Sequence, residues 1–359
     1  MHGGKKKKTR ISGIDLVRFA CAIGIMLHHI FMYFWKDEQE LGTEPRFRCG
    51  FIIVEIFLIV AGYFAAKHFK GRRAKKNESL EIRAKEAVKY TLAKFRGFLP
   101  YVIIAILLGV VYSLISNNFS IAHLIYQLEK LPQEFLFDSG NANYFARFTH
   151  VAPLWYLSLL FFVFPIFCTL AMSKKKYIRN WLYFVFISIY YSLIYSGSFV
   201  GFNGMIRIFA GLAAGQLLFD FVEYIKKKKI KTSTRIALQF AEVFFVYYII
   251  DKLLHRGDII RPVDKNPYMY NFVLFSWLGL ALLLGEKTYS YKINSRFISF
   301  LGQISFPLYL FHFPIMMIIH TILGGNLSFK FELIITSIIS IIFSIVVYLI
   351  ISTRKSHSK

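Results

Sequence analysis

The sequence predicts an all-α polytopic membrane protein with about ten transmembrane helices and both termini cytoplasmic. Three observations carry that expectation. Hydrophobic residues make up 56% of the 359-residue chain and charged residues only 18%, whereas a soluble domain is about 45–50% apolar and about 25% charged. The mean hydropathy is +0.50. The apolar residues also lie in runs, with the basic residues between them. A net charge of +24, from 44 Lys and Arg against 20 Asp and Glu, would point to nucleic acid in a soluble chain. Segregated into loops it reads as topology instead, and nucleic acid is not expected as a partner.

A spanning helix needs about 20 mostly apolar residues. Ten segments qualify: 14–35, 50–69, 98–116, 153–172, 181–197, 200–220, 236–253, 269–285, 299–320 and 332–352. The first follows Lys5-Lys6-Lys7-Lys8, as a signal peptide would. It is too long for one, contains Asp15 and Arg18, and lacks a convincing small-residue cleavage site, so it is expected to stay in the mature protein. Between the second and third spans, the stretch from Glu81 to Arg96 reads as a basic amphipathic helix on the membrane surface. Only Ser196-Gly197-Ser198-Phe199 separates the fifth and sixth spans, which suits a tight helical hairpin. With the N-terminus inside, 32 basic residues fall in inner segments and 10 in outer ones, leaving Arg18 and Arg207 within spans. Cytoplasmic loops carry the excess of Lys and Arg, so this division sets the orientation and supports an even number of spans.

The expected organisation is a basic cytoplasmic tail over 1–13, a transmembrane domain over 14–352 and a second cytoplasmic tail over 353–359. The gaps 70–97 and 117–152 are too short for a soluble domain. Multi-pass residence in a membrane follows, and the inner (plasma) membrane is the one expected. Cys21, Cys49 and Cys168 form no disulfide framework and no metal spacing and read as small packing residues. No His-Glu-x-x-His pattern and no Gly-rich phosphate loop is present, and no metal is expected.

Charge inside a span is costly unless paired or hydrated, so each such residue is a functional candidate. The first span is richest, with Asp15, Arg18, His28 and His29. Eleven residues separate Arg18 from His29, so they differ by about 20° in azimuth and about 16 Å along the axis. One face thus presents a cation near the inner end and an imidazole toward the outer end, while His28 points about 100° away. Glu55 lies near the outer end of the second span, at a depth similar to His29. A carboxylate facing an imidazole orients the ring and stabilises the imidazolium formed in general-base catalysis; a buried polar pair that only fixes packing has the same residues. Lys94 and Arg96, near Arg18 at the inner surface, suit the phosphates of a cytosolic anion or a snorkelling anchor. Trp155 opens the fourth span, where an aromatic is ordinarily an interface residue. Arg207 lies several residues inside the sixth. In the ninth, Ser305, Tyr309 and His312 recur at four and three residues and so share a face. Glu242, Asp251 and His320 are expected to serve packing or the interface.

These residues resemble the acyltransferase 3 family of integral-membrane O-acyltransferases. Ile14-Asp15-Leu16-Val17-Arg18 followed by His28-His29 is similar to the family's first span, an arginine, ten residues and a histidine. The segment Val54-Glu55-Ile56-Phe57 through Ala61-Gly62-Tyr63 resembles its second span, and Pro153-Leu154-Trp155-Tyr156-Leu157 its fourth. Arg207 with Ala210-Gly211 and Gly215 is similar to its sixth, and Ser305-Phe306-Pro307-Leu308-Tyr309-Leu310-Phe311-His312 to its late Ser-aromatic-Tyr-His segment. The matches run from residue 11 to about 315. One departure lies before Pro100, where the family usually has two arginines three apart. Here those positions hold Lys94 and Gly97, with Arg96 shifted by one, and Lys does not reproduce bidentate Arg geometry.

The resemblance implies acetyl-CoA as donor and co-substrate, entering from the cytoplasm, and an acceptor hydroxyl on a cell-envelope glycan or lipid-linked saccharide at the outer leaflet. It implies His29 as the base with Glu55 orienting it, Arg18, Lys94 and Arg96 at the CoA phosphates, and Arg207 or Tyr309 at the tetrahedral oxyanion. Trp155 and His312 are counted with the acceptor side. Direct transfer and a covalent acyl-histidine relay both fit, as do acetyl and longer acyl groups. Without an appended esterase-like domain, the chain either completes the transfer or hands the acyl group to a separate partner. The rival expectation is a transporter or exporter without acyl transfer, its pathway lined by His29, Glu55 and Arg207. Transporter folds often show corresponding broken helices in two halves, and none is evident here.

Overall fold

The computed structural model describes residues 11–34, 47, 50–71, 79–135, 151, 153–195, 203–254, 267–323 and 328–357. Among them are eleven α-helices and no strand. They are α1 (Ser12–Phe34), α2 (Ile53–Phe69), α3 (Leu80–Ser116), α4 (Ile121–Phe135), α5 (Leu154–Ala171), α6 (Lys176–Tyr195), α7 (Asn203–Lys226), α8 (Thr232–Leu254), α9 (Pro267–Leu284), α10 (Arg296–Leu323) and α11 (Phe329–His357). Six of these helices, α1, α3, α5, α7, α10 and α11, are long and apolar enough to cross a membrane. The chain is therefore a multi-pass membrane protein. The other four expected spans fall on helices that are shorter or more charged. Helix α2 has 17 residues, about 26 Å at 1.5 Å per residue against a hydrocarbon core of about 30 Å. The apolar stretch of α9 runs only over Asn271–Leu284, α6 opens on Lys176 and Arg179, and α8 carries Arg235, Glu242, Asp251 and Lys252.

Two features differ from the sequence expectation. The surface helix expected before the third span is continuous with it: α3 runs 37 residues through Pro100, about 55 Å, so a good part of it projects beyond any apolar layer. Its start is capped by Ser79, whose side chain accepts from the Ile82 amide at 3.3 Å. The gap 117–152 also contains a helix, α4, fastened to α3 by a 2.8 Å hydrogen bond between Ser113 and His123. The hairpin residues 196–199 and Cys49 lie outside the described residues. Cys21 and Cys168 are free and buried.

Two helix pairs position the interior. Helices α2 and α7 approach until their backbones touch. A Cβ on Gly62 would lie 2.3 Å from the Leu212 carbonyl oxygen, and one on Gly215 2.1 Å from that of Ile59. Gly211 and Gly215 form the small-xxx-small spacing that permits such crossings in membranes. Helices α1 and α10 run alongside in the same direction. Asp15 packs on Gly302, where a Cβ would meet its side chain at 2.3 Å, and His29 meets His312 farther along. Helix α10 also packs against α3 and α11, which puts it at the centre of the bundle.

Candidate functional site

Two polar clusters lie inside this apolar bundle. The first centres on Glu55, 1% exposed. Its Oε1 accepts from Arg207 Nε at 2.7 Å and from the Tyr190 hydroxyl at 2.8 Å. The Arg207 guanidinium lies over the Trp155 ring, 5.5 Å from its centroid. One carboxylate therefore ties α2 to α6 and α7, with α5 covering the cation. Burying such a pair is costly, and the short charged contact and second donor offset that cost.

The second cluster is the histidine pair. His29 Nδ1 lies 2.7 Å from His312 Nε2, and the two rings stack with centroids 5.0 Å apart. His312 is fully buried and its Nδ1 donates to the Leu308 carbonyl at 3.0 Å. Phe313 closes on His29 edge-on at 5.5 Å. His28 has a different job: its Nδ1 donates to the Phe47 carbonyl at 2.8 Å, and Gly50 packs against its Cβ.

The expected facing of Glu55 and His29 does not form. The reason is local geometry. Ile53 is the residue of α2 that covers α1, since a Cβ on Gly24 would meet its side chain at 2.5 Å. Two residues farther, at about 100° each, the helix has turned Glu55 about 200° away, toward α7. His29 instead finds His312.

A cavity of 240 Å³ adjoins these clusters. It is lined mainly by apolar and aromatic side chains, among them Phe57, Phe64, Phe95, Phe98, Phe164 and Phe306, and includes Arg18 and Lys94, with Tyr90, Tyr156, Ser305 and Tyr309 as the neutral polar groups. The parallel run of α1 and α10 sets Arg18 near the level of Ser305. Lys94 lies one turn before Phe98, whose ring meets Phe306 at 4.4 Å, so both cations sit toward the same end. Tyr309 is about a turn nearer the histidines, its ring 6.3 Å from that of His312. Arg96 is exposed and does not line the cavity; two residues from Lys94, it points about 200° away on the same helix. The Tyr309 hydroxyl donates to the Pro153 carbonyl at 2.9 Å, fastening α10 to the start of α5.

The structure thus gathers the expected residues into three linked groups: Arg18 and Lys94 at the cavity, Glu55 with Arg207 and Trp155, and His29 with His312. Sequence reasoning passed over Tyr190, which sits in an apolar run with nothing to mark it. Of the span residues expected to serve packing, Glu242 is buried and accepts from Gln239, His320 pairs with Glu332 at 2.7 Å, and Asp251 lies 3.1 Å from Lys252. Among the described residues, no group of three or more His, Cys, Asp or Glu is placed to hold a metal ion.

Fold and site together define a multi-pass, all-helical membrane protein with polar chemistry in its interior. Residues 11–353 match the family model described as "Acyltransferase domain", and the chain belongs to that family, acyltransferase 3. Relatives in curated collections include proteins named "Putative O-acetyltransferase" from Staphylococcus aureus strains COL, MSSA476 and MRSA252. Each is 24% identical over 349 residues, covering 88% of this chain and 52% of the relative. The chain thus spans about half the length of the curated relatives it matches. No solved structure matches it.

Proposed function

We propose that the protein transfers an acyl group, acetyl in the first instance, from cytosolic acyl-CoA to a hydroxyl of a cell-envelope glycan or lipid-linked saccharide. The single observation that carries this reading is the cavity. Two cations mark one end, an aromatic channel follows, and the channel leads by way of Tyr309 toward the His29–His312 pair. Such a shape suits a donor with a polyanionic head and a long thin arm. Arg18 and Lys94 hold the phosphates as charge-assisted donors, and Arg96, outside the lining, contributes long-range attraction.

The acyl arm lies in the channel with its thioester beyond Tyr309. His29 takes the proton of the acceptor hydroxyl, the oxygen attacks the thioester carbon, and the CoA thiolate leaves. Arg207, held by Glu55 and Tyr190 over Trp155, is the cation assigned to the tetrahedral oxyanion. Glu55 is then a positioning residue for Arg207. In this reading ten helices cross the plasma membrane with both tails, 1–13 and 353–359, in the cytoplasm, and 14–352 is the catalytic unit in contact with membrane lipid.

The test is CoA release and ester formation from radiolabelled acetyl-CoA by the purified protein with candidate saccharide acceptors. Acceptor-dependent turnover, lost in His29→Ala, is expected. Turnover by His29→Ala equal to wild type would remove His29 from the chemistry.

A further inference from the structure

We infer that His312 is a positioning residue that sets the tautomer of His29, keeping a proton on Nδ1 and leaving Nε2 as the basic atom of the ring. Donor and acceptor nitrogens fix the assignment. A carbonyl oxygen can only accept, so the 3.0 Å contact between His312 Nδ1 and the Leu308 carbonyl requires Nδ1 to carry the proton. A neutral imidazole has one N–H and one acceptor nitrogen, so His312 Nε2 presents its lone pair. The atom facing that lone pair at 2.7 Å is His29 Nδ1, which must then be the donor. His29 Nε2, on the other side of the ring, is left with its own lone pair.

The chain of bonds starts at a backbone atom and cannot be reversed. Leu308 and His312 are one turn apart on α10, and the His312 side chain is completely buried, so water does not compete for either nitrogen. His29 is the half-buried member of the pair, as a ring that meets a substrate must be. Its immediate neighbour is not equivalent: His28 spends Nδ1 on the Phe47 carbonyl and its Cβ packs against Gly50. The pair resembles a carboxylate–histidine couple in orientation but not in charge, because the orienting acceptor is a neutral imidazole.

The inference rests, in its kinetic part, on the general-base role proposed for His29. In the transfer step the hydroxyl proton moves to His29 Nε2 while the O–H electron pair stays on oxygen. The Nδ1 proton remains in place, and the imidazolium so formed donates to His312 from Nδ1. With the opposite tautomer Nε2 would already be protonated and could not accept.

Three substitutions at one position separate orientation from packing. His312→Gln can place Oε1 where Nε2 stands and still accept from His29. His312→Asn can reach the Leu308 carbonyl but puts nothing at the Nε2 position. His312→Phe keeps an aromatic ring and no acceptor. The readout is ¹⁵N solid-state NMR of the full-length protein, histidine-labelled and reconstituted in bilayers, with the His29 signals identified by their loss in His29→Ala. Expected for wild type is a protonated Nδ1 and a bare Nε2 on His29. The Gln variant keeps that pattern, and the Asn and Phe variants shift His29 toward Nε2–H. In parallel, kcat falls about 10²-fold in Asn and Phe with KM for acetyl-CoA unchanged, and most of it returns in Gln.

A protonated Nε2 on His29 in the wild type overturns the inference, as does an unaltered His29 pattern in both Asn and Phe variants. Wild-type spectra decide the matter alone should those variants fail to fold. Spectra as expected with no thioester turnover by any form would support the positioning role and sink the acyl-transfer reading instead.

Discussion

Removing the Glu55 carboxylate while leaving Arg207 in place should destabilise the bundle by about 3–5 kcal/mol, the usual cost of an uncompensated buried charge. The side chains are 1% and 8% exposed and 2.7 Å apart, so neither can recover its lost interaction from water. Glu55→Leu also strips the Tyr190 hydroxyl of its acceptor, adding about 1–3 kcal/mol. Arg207→Met leaves the carboxylate with Tyr190 and should cost about 3–5 kcal/mol as well. The double variant Glu55→Leu/Arg207→Met removes both charges at once and should return to within about 2 kcal/mol of wild type, with Tyr190→Phe in the same background recovering more. The assay is equilibrium unfolding in mixed micelles with rising SDS, followed by tryptophan fluorescence, for which Trp155 lies beside the cation. Singles within about 1 kcal/mol of wild type, or a double as unstable as the sum of the singles, would refute the coupling. A folded but inactive double variant would place Arg207 in the chemistry as well as in the scaffold.

Three further outcomes follow from the geometry. Arg18→Ala and Lys94→Ala should each raise KM for acetyl-CoA by about tenfold or more, since a hydrogen bond to a charged group is worth about 1.5–3 kcal/mol, while Arg96→Ala changes it by less than about twofold; initial-rate kinetics at fixed acceptor decide. Gly215→Leu should prevent folding because its Cβ would meet the Ile59 carbonyl at 2.1 Å, whereas Gly97→Ala, with nothing within 4 Å, should be neutral or stabilise by up to about 1 kcal/mol; yield of monodisperse protein and unfolding midpoints check the pair. Ala61→Trp, which fills part of the 240 Å³ cavity, should weaken donor binding and discriminate most strongly against longer acyl chains; competition with a set of acyl-CoA analogues reads this out.

What could be read from the sequence was whatever depends on one helix at a time. The stripe shared by Arg18 and His29, and the face shared by Ser305, Tyr309 and His312, follow from helical spacing alone, and Arg18, Ser305 and Tyr309 do line one cavity. Which stripe meets which was not readable. The choice between His29 and Arg207 as the partner of Glu55 turned on Ile53 seating over Gly24, a contact between side chains that no periodicity encodes. His312 lies 283 residues from His29, and its one-turn bond to Leu308 has no signature beyond the presence of the histidine. The continuity of α3 was hidden by a change from charged to apolar residues that suggested two elements, although nothing between Glu81 and Pro100 breaks a helix. Lys94 and Arg96 looked equivalent as charges and are separated only by the turn of α3.

A sided measurement in proteoliposomes tests transfer across the bundle most directly. Labelled acetyl-CoA is confined to the face bearing the basic loops, the saccharide acceptor to the opposite face, and acceptor ester and free CoA are counted on each side. Ester on the acceptor side, matched by CoA released on the donor side and abolished by His29→Ala, is the result predicted. Saccharide crossing the membrane with the thioester intact, or equal ester formation by the His29→Ala protein, would contradict it.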